Sequence, residues 1–88
     1  MKIVFSDQGW EDYLYWVEND PKTLERLNEL IEKCRRTPFE GRGKPEPLKQ
    51  DLRGWWSRRV NGDDRLVYRV EGKGRDQALE IIQCRLHY

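Results

Sequence analysis

The chain has 88 residues, of which 38% are charged and 36% hydrophobic, and its formal net charge is +1. That length allows one modest core and excludes a multidomain enzyme, so residues 1–88 are expected to form a single domain. Four Trp, four Tyr and two Phe must then supply much of the packing area.

In chain order, "KIVFS" at 2–6 is a short β-rich run that ends on Ser6, a good helix N-cap. Trp10, Tyr13, Leu14 and Val17 follow at i, i+3, i+4 and i+7, which predicts an amphipathic helix buried through those four side chains. "NDP" ends it: Asp20 caps a second helix and Pro21 takes its first position. Leu24, Leu27, Ile31 and Cys34 are its expected buried stripe, with Leu30 beside them. Thr37 precedes Pro38 and is pushed out of helical conformation, which stops the helix. Residues 38–54 hold three of the four prolines among glycines and basic residues, and read as a loop. Strands are expected at 55–60, 65–70 and 78–88, joined by "NGDD" and "EGKGRDQ". The order β-α-α-β-β-β predicts an α+β fold with two helices on a mostly antiparallel sheet.

Charge is unevenly placed. Between Lys33 and Arg69 there are eleven Lys or Arg against five acids, whereas the first 32 residues are acidic by comparison. A basic middle on a nearly neutral chain points to a local anion-binding surface. No apolar run has membrane-spanning length and no signal peptide is read, so a reduced, cytoplasmic protein is expected, with Cys34 and Cys84 as small core residues. A single histidine and the lack of a CxxC spacing argue against a zinc site, and no cofactor is expected.

Strand alternation places the candidates. If Arg59 faces Arg65 across the "NGDD" connection, then Trp56, Leu66, Tyr68 and Val70 share one face, with Arg58 as a charged exception among them. Trp55, Ser57, Arg59, Arg65, Val67 and Arg69 share the other. Continued to the end of the chain, alternation puts Ile82, Cys84 and Leu86 on the core side and Gln83, Arg85 and His87 on the arginine side.

A histidine, arginines and a carboxylate together fit metal-free RNA cleavage by attack of the 2′-hydroxyl on the adjacent phosphorus. A base must take the hydroxyl proton, an acid must protonate the departing 5′-oxygen, and cations must stabilise the phosphorane. His87 suits the acid. Glu46 suits the base: in "KPEPLK" Pro47 forces it into an extended conformation, and Lys44 and Lys49 flank it. Arg59 and Arg65 suit phosphate contacts. Each residue also has a plainer reading: a surface histidine, a solvated arginine pair or a rigid loop. The residues alone leave RNA binding and RNA cleavage both open.

Read together, "WEDYLYW", "LNELIEKCRRTPFEGRGKPEPLK", "GWWSRRV", "RLVYRV" and the terminal "CRLHY" resemble the YoeB toxins, the Txe/YoeB branch of the RelE superfamily, over nearly the whole chain. Two connections depart from the usual pattern: "EGKGRDQ" is long, and "NGDD" replaces a more helix-like acidic turn. The resemblance implies a microbial-RNase-like fold and an mRNA interferase that cuts messenger RNA in the ribosomal A site. It implies Glu46 as base, Arg65 as transition-state stabiliser, Arg59 as a phosphate contact, and His87 with Tyr88 as acid and supporting group. Its implied partners are a YefM-like antitoxin, the ribosome with its mRNA, and a second toxin copy. DNA would be met only through the antitoxin. The alternative is a catalytically silent RNA- or partner-binding module on the same fold.

Overall fold

The computed structural model describes residues 1–87, so Tyr88, one of the expected site residues, lies outside the described residues. Its elements are β1 (Lys2–Phe5), α1 (Asp7–Asn19), α2 (Pro21–Arg36), β2 (Glu46–Pro47), β3 (Trp56–Arg59), β4 (Arg65–Glu71) and β5 (Ala78–Gln83). Two helices pack on a five-stranded sheet of order β1-β5-β4-β3-β2. Only the β1–β5 pair is parallel; the other three pairs are antiparallel. The expected α+β architecture holds, with one addition: two residues of the 38–54 loop, Glu46 and Pro47, add a short edge strand. Among the described residues, no helix is long and apolar enough to cross a membrane.

The helix ends follow their capping chemistry. Ser6 Oγ accepts from the Gly9 N–H at 3.0 Å, and the Asp20 carboxylate accepts from the Thr23 N–H at 3.1 Å and from its hydroxyl at 2.7 Å. Those two bonds hold the Asp20 carboxyl below its usual range, the hydroxyl contributing most. Helix α2 buries Leu27, Leu30, Ile31 and Cys34, much as its periodicity predicts, with Leu24 half-buried.

Helix α1 departs from the expected face. Trp10, Leu14 and Val17 are exposed and Tyr13 is half-buried, while Gly9, Asp12 and Trp16 turn inward. The cause is the sheet beneath. A Cβ on Gly9 would lie 2.6 Å from the Ile81 carbonyl oxygen, so glycine lets the helix backbone rest on β5. One and two turns further on, the Asp12 carboxylate accepts from the Cys84 N–H at 3.0 Å and the Trp16 indole N–H donates to the Cys84 carbonyl at 2.9 Å. A pattern of apolar residues does not register an inward face built from a glycine, a carboxylate and an indole. Gly9→Ala tests this packing. Alanine raises helix propensity by up to about 1 kcal/mol, but a fixed carbonyl cannot yield to the added methyl. Net destabilisation of about 1–2 kcal/mol is expected in urea denaturation, and a stabilised variant would overturn the close-approach argument.

The last strand also differs. Alternation predicts one run from 78 to 88, yet β5 ends at Gln83. Tyr68 faces Ile81 and Val67 faces Gln83, so Ile82 is an extra, bulged residue. The core face is Leu79, Ile81 and, beyond the bulge, Cys84, rather than Ile82, Cys84 and Leu86; Leu86 is exposed. Cys34 and Cys84 are buried free thiols, as expected. Burial pushes them up to about 11 and about 12, so both stay protonated near neutral pH.

Candidate active site

Strand register lays out the site. Arg59 faces Arg65 as expected, with 60–64 as the connection. Ser57 faces Val67 on one side and Glu46 on the other, and Val67 in turn faces Gln83. Directly opposed residues of antiparallel strands share a face. Glu46, Ser57, Val67 and Gln83 therefore form one row across the sheet, on the side away from the helices. Arg59 and Arg65 stand side by side two residues along the same face. Glu46 and Arg65 are two strands apart, roughly 10 Å across the sheet.

Two like charges directly opposite each other weaken a strand pair. Among the described residues the ion pairs involve Arg35, Arg42 and Arg69, and neither Arg59 nor Arg65 enters one. Arg65 Nη1 instead donates to the carbonyls of Asn61 at 3.0 Å and Asp64 at 3.1 Å, which ties one nitrogen of its guanidinium to its own turn. Further along this face, Arg69 is bound by Glu80 at 2.6 Å and lies 4.5 Å from the Trp55 ring centre, so its charge is already matched. Among the described residues, Arg59 and Arg65 are thus the strand arginines of this face that enter no ion pair, and they stand next to the Glu46 row.

The loop that carries Glu46 is fastened from beneath by a residue that sequence reading marked only as an exception. Arg58 lies on the core face and is fully buried. Its guanidinium donates to the Arg42 carbonyl at 2.8 Å, the Glu40 carbonyl at 2.9 Å, the Thr37 carbonyl, and the Tyr68 hydroxyl at 3.2 Å. Tyr68 donates onward to the Pro38 carbonyl at 2.5 Å. Four carbonyls of residues 37–42 thus converge on two buried side chains. The loop then runs beside β3: the Arg59 N–H donates to the Gly43 carbonyl at 2.8 Å, and the Leu48 N–H to the Trp55 carbonyl at 2.9 Å. Glu46 sits between these two ties, exposed, in the extended conformation that its flanking prolines favour. Lys44 and Lys49 are also exposed, on either side of β2.

The chain end reaches the same region by a route that alternation does not describe. Residues 84–87 leave the sheet and Leu86 has φ +66°. Its N–H donates to the Asp64 carboxylate at 2.6 Å, and its carbonyl accepts from the Arg65 N–H at 3.0 Å. His87, exposed, therefore follows a residue pinned to the Asp64–Arg65 backbone. The register, the loop anchor and the tail together bring Glu46, Arg59, Arg65 and the start of the tail to one sheet face. Among the described residues no cluster of His, Cys, Asp or Glu is arranged to hold a metal ion.

Comparison with known proteins identifies the family. The pattern of the YoeB-like toxins of bacterial type II toxin–antitoxin systems matches residues 5–88. The chain belongs to this family. Toxin YoeB of Escherichia coli K12 is 53% identical over 88 residues, all of both chains. A YoeB/ParE toxin from Agrobacterium tumefaciens superposes with a TM-score of 0.96 at 52% identity, covering all of both chains. Two Staphylococcus aureus structures, a YoeB dimer and a heterotetrameric YoeB–YefM toxin–antitoxin complex, give TM-scores of 0.88 and 0.87. Both are 44% identical, and each match covers all of this chain and 98% of the other. The microbial-RNase-like fold extends to more distant toxins, such as YafQ of E. coli at 22% identity and a TM-score of 0.71. Like its YoeB relatives, the chain is the toxin of a type II toxin–antitoxin pair.

Proposed function

We propose that this toxin is a ribosome-dependent mRNA endoribonuclease that cuts in the A site and so inhibits translation. The observation that carries this reading is the placement of an exposed carboxylate, Glu46, on the same sheet face as two arginines that enter no ion pair among the described residues. Glu46 takes the proton of the 2′-hydroxyl as its oxygen attacks phosphorus. Arg65 and Arg59 meet the charge that gathers on the non-bridging oxygens. His87 gives a proton to the departing 5′-oxygen, leaving a 2′,3′-cyclic phosphate and a 5′-hydroxyl. Every proton that leaves one oxygen is matched by one delivered to another, so the step needs neither a metal nor a cofactor. Tyr88 supports His87, and Lys44 and Lys49 bind flanking phosphates.

By the same reading a YefM-like antitoxin restrains the protein, which also pairs with a second copy of itself. The S. aureus relatives, found as a dimer and in complex with YefM, support both partnerships. The 88 residues act as one domain in the cytoplasm, and any contact with DNA is made by the antitoxin.

Primer extension on a ribosome-engaged messenger RNA tests the reading. Defined A-site cuts are expected with the wild type, and His87→Gln is expected to slow them by about 10²-fold or more. Absence of cuts by folded wild-type protein would move the chain to a silent RNA- or partner-binding role. Equal cutting by His87→Gln would remove the acid from the scheme.

A further inference from the structure

We propose that Asp64 is a positioning residue for the tail, fixing where His87 stands relative to Arg65; the proposal rests on the functional reading above for its effect on rate. Beyond Gln83 the described residues of the tail have no strand partner, so their peptide groups need another way to be satisfied. Cys84 finds it on α1, through Asp12 and Trp16, and the Arg85 guanidinium lies 3.5 Å from the centre of the Tyr15 ring. Leu86, the residue before His87, is the hardest of these to hold. Its φ of +66° is one that a leucine seldom adopts, and its side chain is 58% exposed, so packing does not fix it.

What fixes Leu86 is a two-point bridge to Asp64, the last residue of the turn, and Arg65, the first of β4, with the Gln83 side-chain amide donating more weakly to the same carbonyl at 3.4 Å. The Asp64 carboxylate accepts its N–H at 2.6 Å, and the Arg65 N–H donates to its carbonyl at 3.0 Å. The second bond comes from main chain and survives any side-chain change. The first depends on Asp64 alone. Asp64 is 8% exposed and enters no ion pair among the described residues. It is itself held rigidly: its N–H donates to the Asn61 side-chain oxygen at 2.9 Å, and its carbonyl accepts the Val60 N–H at 3.0 Å. A charged acceptor in a fixed turn makes a short, directional bond. One rigid turn thus holds both the Arg65 guanidinium, through the carbonyls of Asn61 and Asp64, and the peptide before His87, through the Asp64 carboxylate. The cation and the acid are set by the same few atoms.

Asp64→Ala removes the acceptor, and Asp64→Asn keeps an oxygen in its place. The alanine variant is expected to lose about 10- to 100-fold in kcat, the cost of a displacement of about 1 Å in a reacting group, with KM within about twofold of wild type because Arg59, Lys44 and Lys49 are untouched. The asparagine variant is expected to recover most of the rate. In a His87→Gln background, Asp64→Ala is expected to cost little more, because it acts through His87. An equal loss in both backgrounds would show a general structural role and overturn the proposal. A second readout needs no RNA. Hydrogen exchange of the Leu86 amide, measured by NMR, is expected to be slow in wild type and Asp64→Asn and fast in Asp64→Ala, at a urea midpoint that shows the rest folded. A Leu86 amide that stays protected in Asp64→Ala would overturn the bridge. Should wild type fail to cut RNA, the functional reading falls while the exchange result still decides whether Asp64 holds the tail.

Discussion

Arg58→Met is expected to destabilise the fold by on the order of 4 kcal/mol and to release the loop that carries Glu46. The methionine would fill much of the volume, so the loss is polar rather than a matter of packing. Arg58 is fully buried, and its guanidinium is the donor for the carbonyls of Thr37, Glu40 and Arg42. Without it three acceptors turn toward an apolar side chain, each at a cost of roughly 1–3 kcal/mol unless water enters. Around it the loop has little apolar packing of its own: Phe39 is 52% exposed and meets Trp56 with ring centres 4.8 Å apart. Arg58→Lys should recover only part of the loss, because an ammonium lacks the planar fork that reaches several carbonyls at once. Tyr68 completes the anchor. Burial, above all, lifts its phenol well above the ordinary value of 10.0. The folded state therefore holds the phenolic proton more tightly than the unfolded chain, and this contribution is fully present below pH 10 and declines only above it. The urea midpoint of Arg58→Met, read by tryptophan fluorescence, checks the expectation. A loss under 1 kcal/mol would show that the loop does not depend on Arg58.

Much of the framework could be read because its causes are local. Ser6, and Asp20 with Pro21, announce helix starts through bonds made within three residues, and the α2 stripe follows the 3.6-residue period. The Arg59–Arg65 register followed from the short connection between two strands, and with it the shared face of the two arginines. What escaped reading depends on partners distant in sequence. The inward face of α1 is explained by the Ile81 carbonyl and the Cys84 peptide, some 70 residues away. The bulge at Ile82 breaks the alternation from which the place of His87 was argued, and the tail is guided by Asp64 and the Arg65 backbone instead. One signal was present. An arginine at position 58, on a face otherwise apolar, had to be satisfied by something, and the nearby loop rich in proline and glycine was the available source of free carbonyls. Asp64 gave less, since an acid in an "NGDD" turn is ordinary turn composition.

On the proposed mechanism, Arg65→Ala is expected to lower the single-turnover cleavage rate by about 10³-fold, the scale set by losing a positioned cation at a transferring phosphoryl group. The effect should be separable from any change in fold or tail. The Arg65 contact to Leu86 is made by its backbone N–H and remains in Arg65→Ala and Arg65→Lys, and of the turn carbonyls that the side chain meets, that of Asp64 keeps its bond from the Val60 N–H. Arg65→Lys should restore charge without the fork. With Nη1 already given to the turn, the native guanidinium approaches phosphate as a fixed group, whereas an ammonium on a flexible stem must be ordered at each turnover. A deficit of about 10²-fold is therefore expected to remain. Arg59, its neighbour across the strand pair, is exposed and makes no side-chain bond to the turn, so Arg59→Ala should act differently. It should weaken RNA binding and reduce the salt dependence of that binding by about one phosphate contact, with a smaller effect on the bound-state rate. Single-turnover rates at saturating toxin, together with binding isotherms at several salt concentrations, separate the two arginines. If Arg65→Ala cleaves within threefold of wild type, the charge on phosphorus must be met elsewhere on this face, and Arg59 becomes the cation to test.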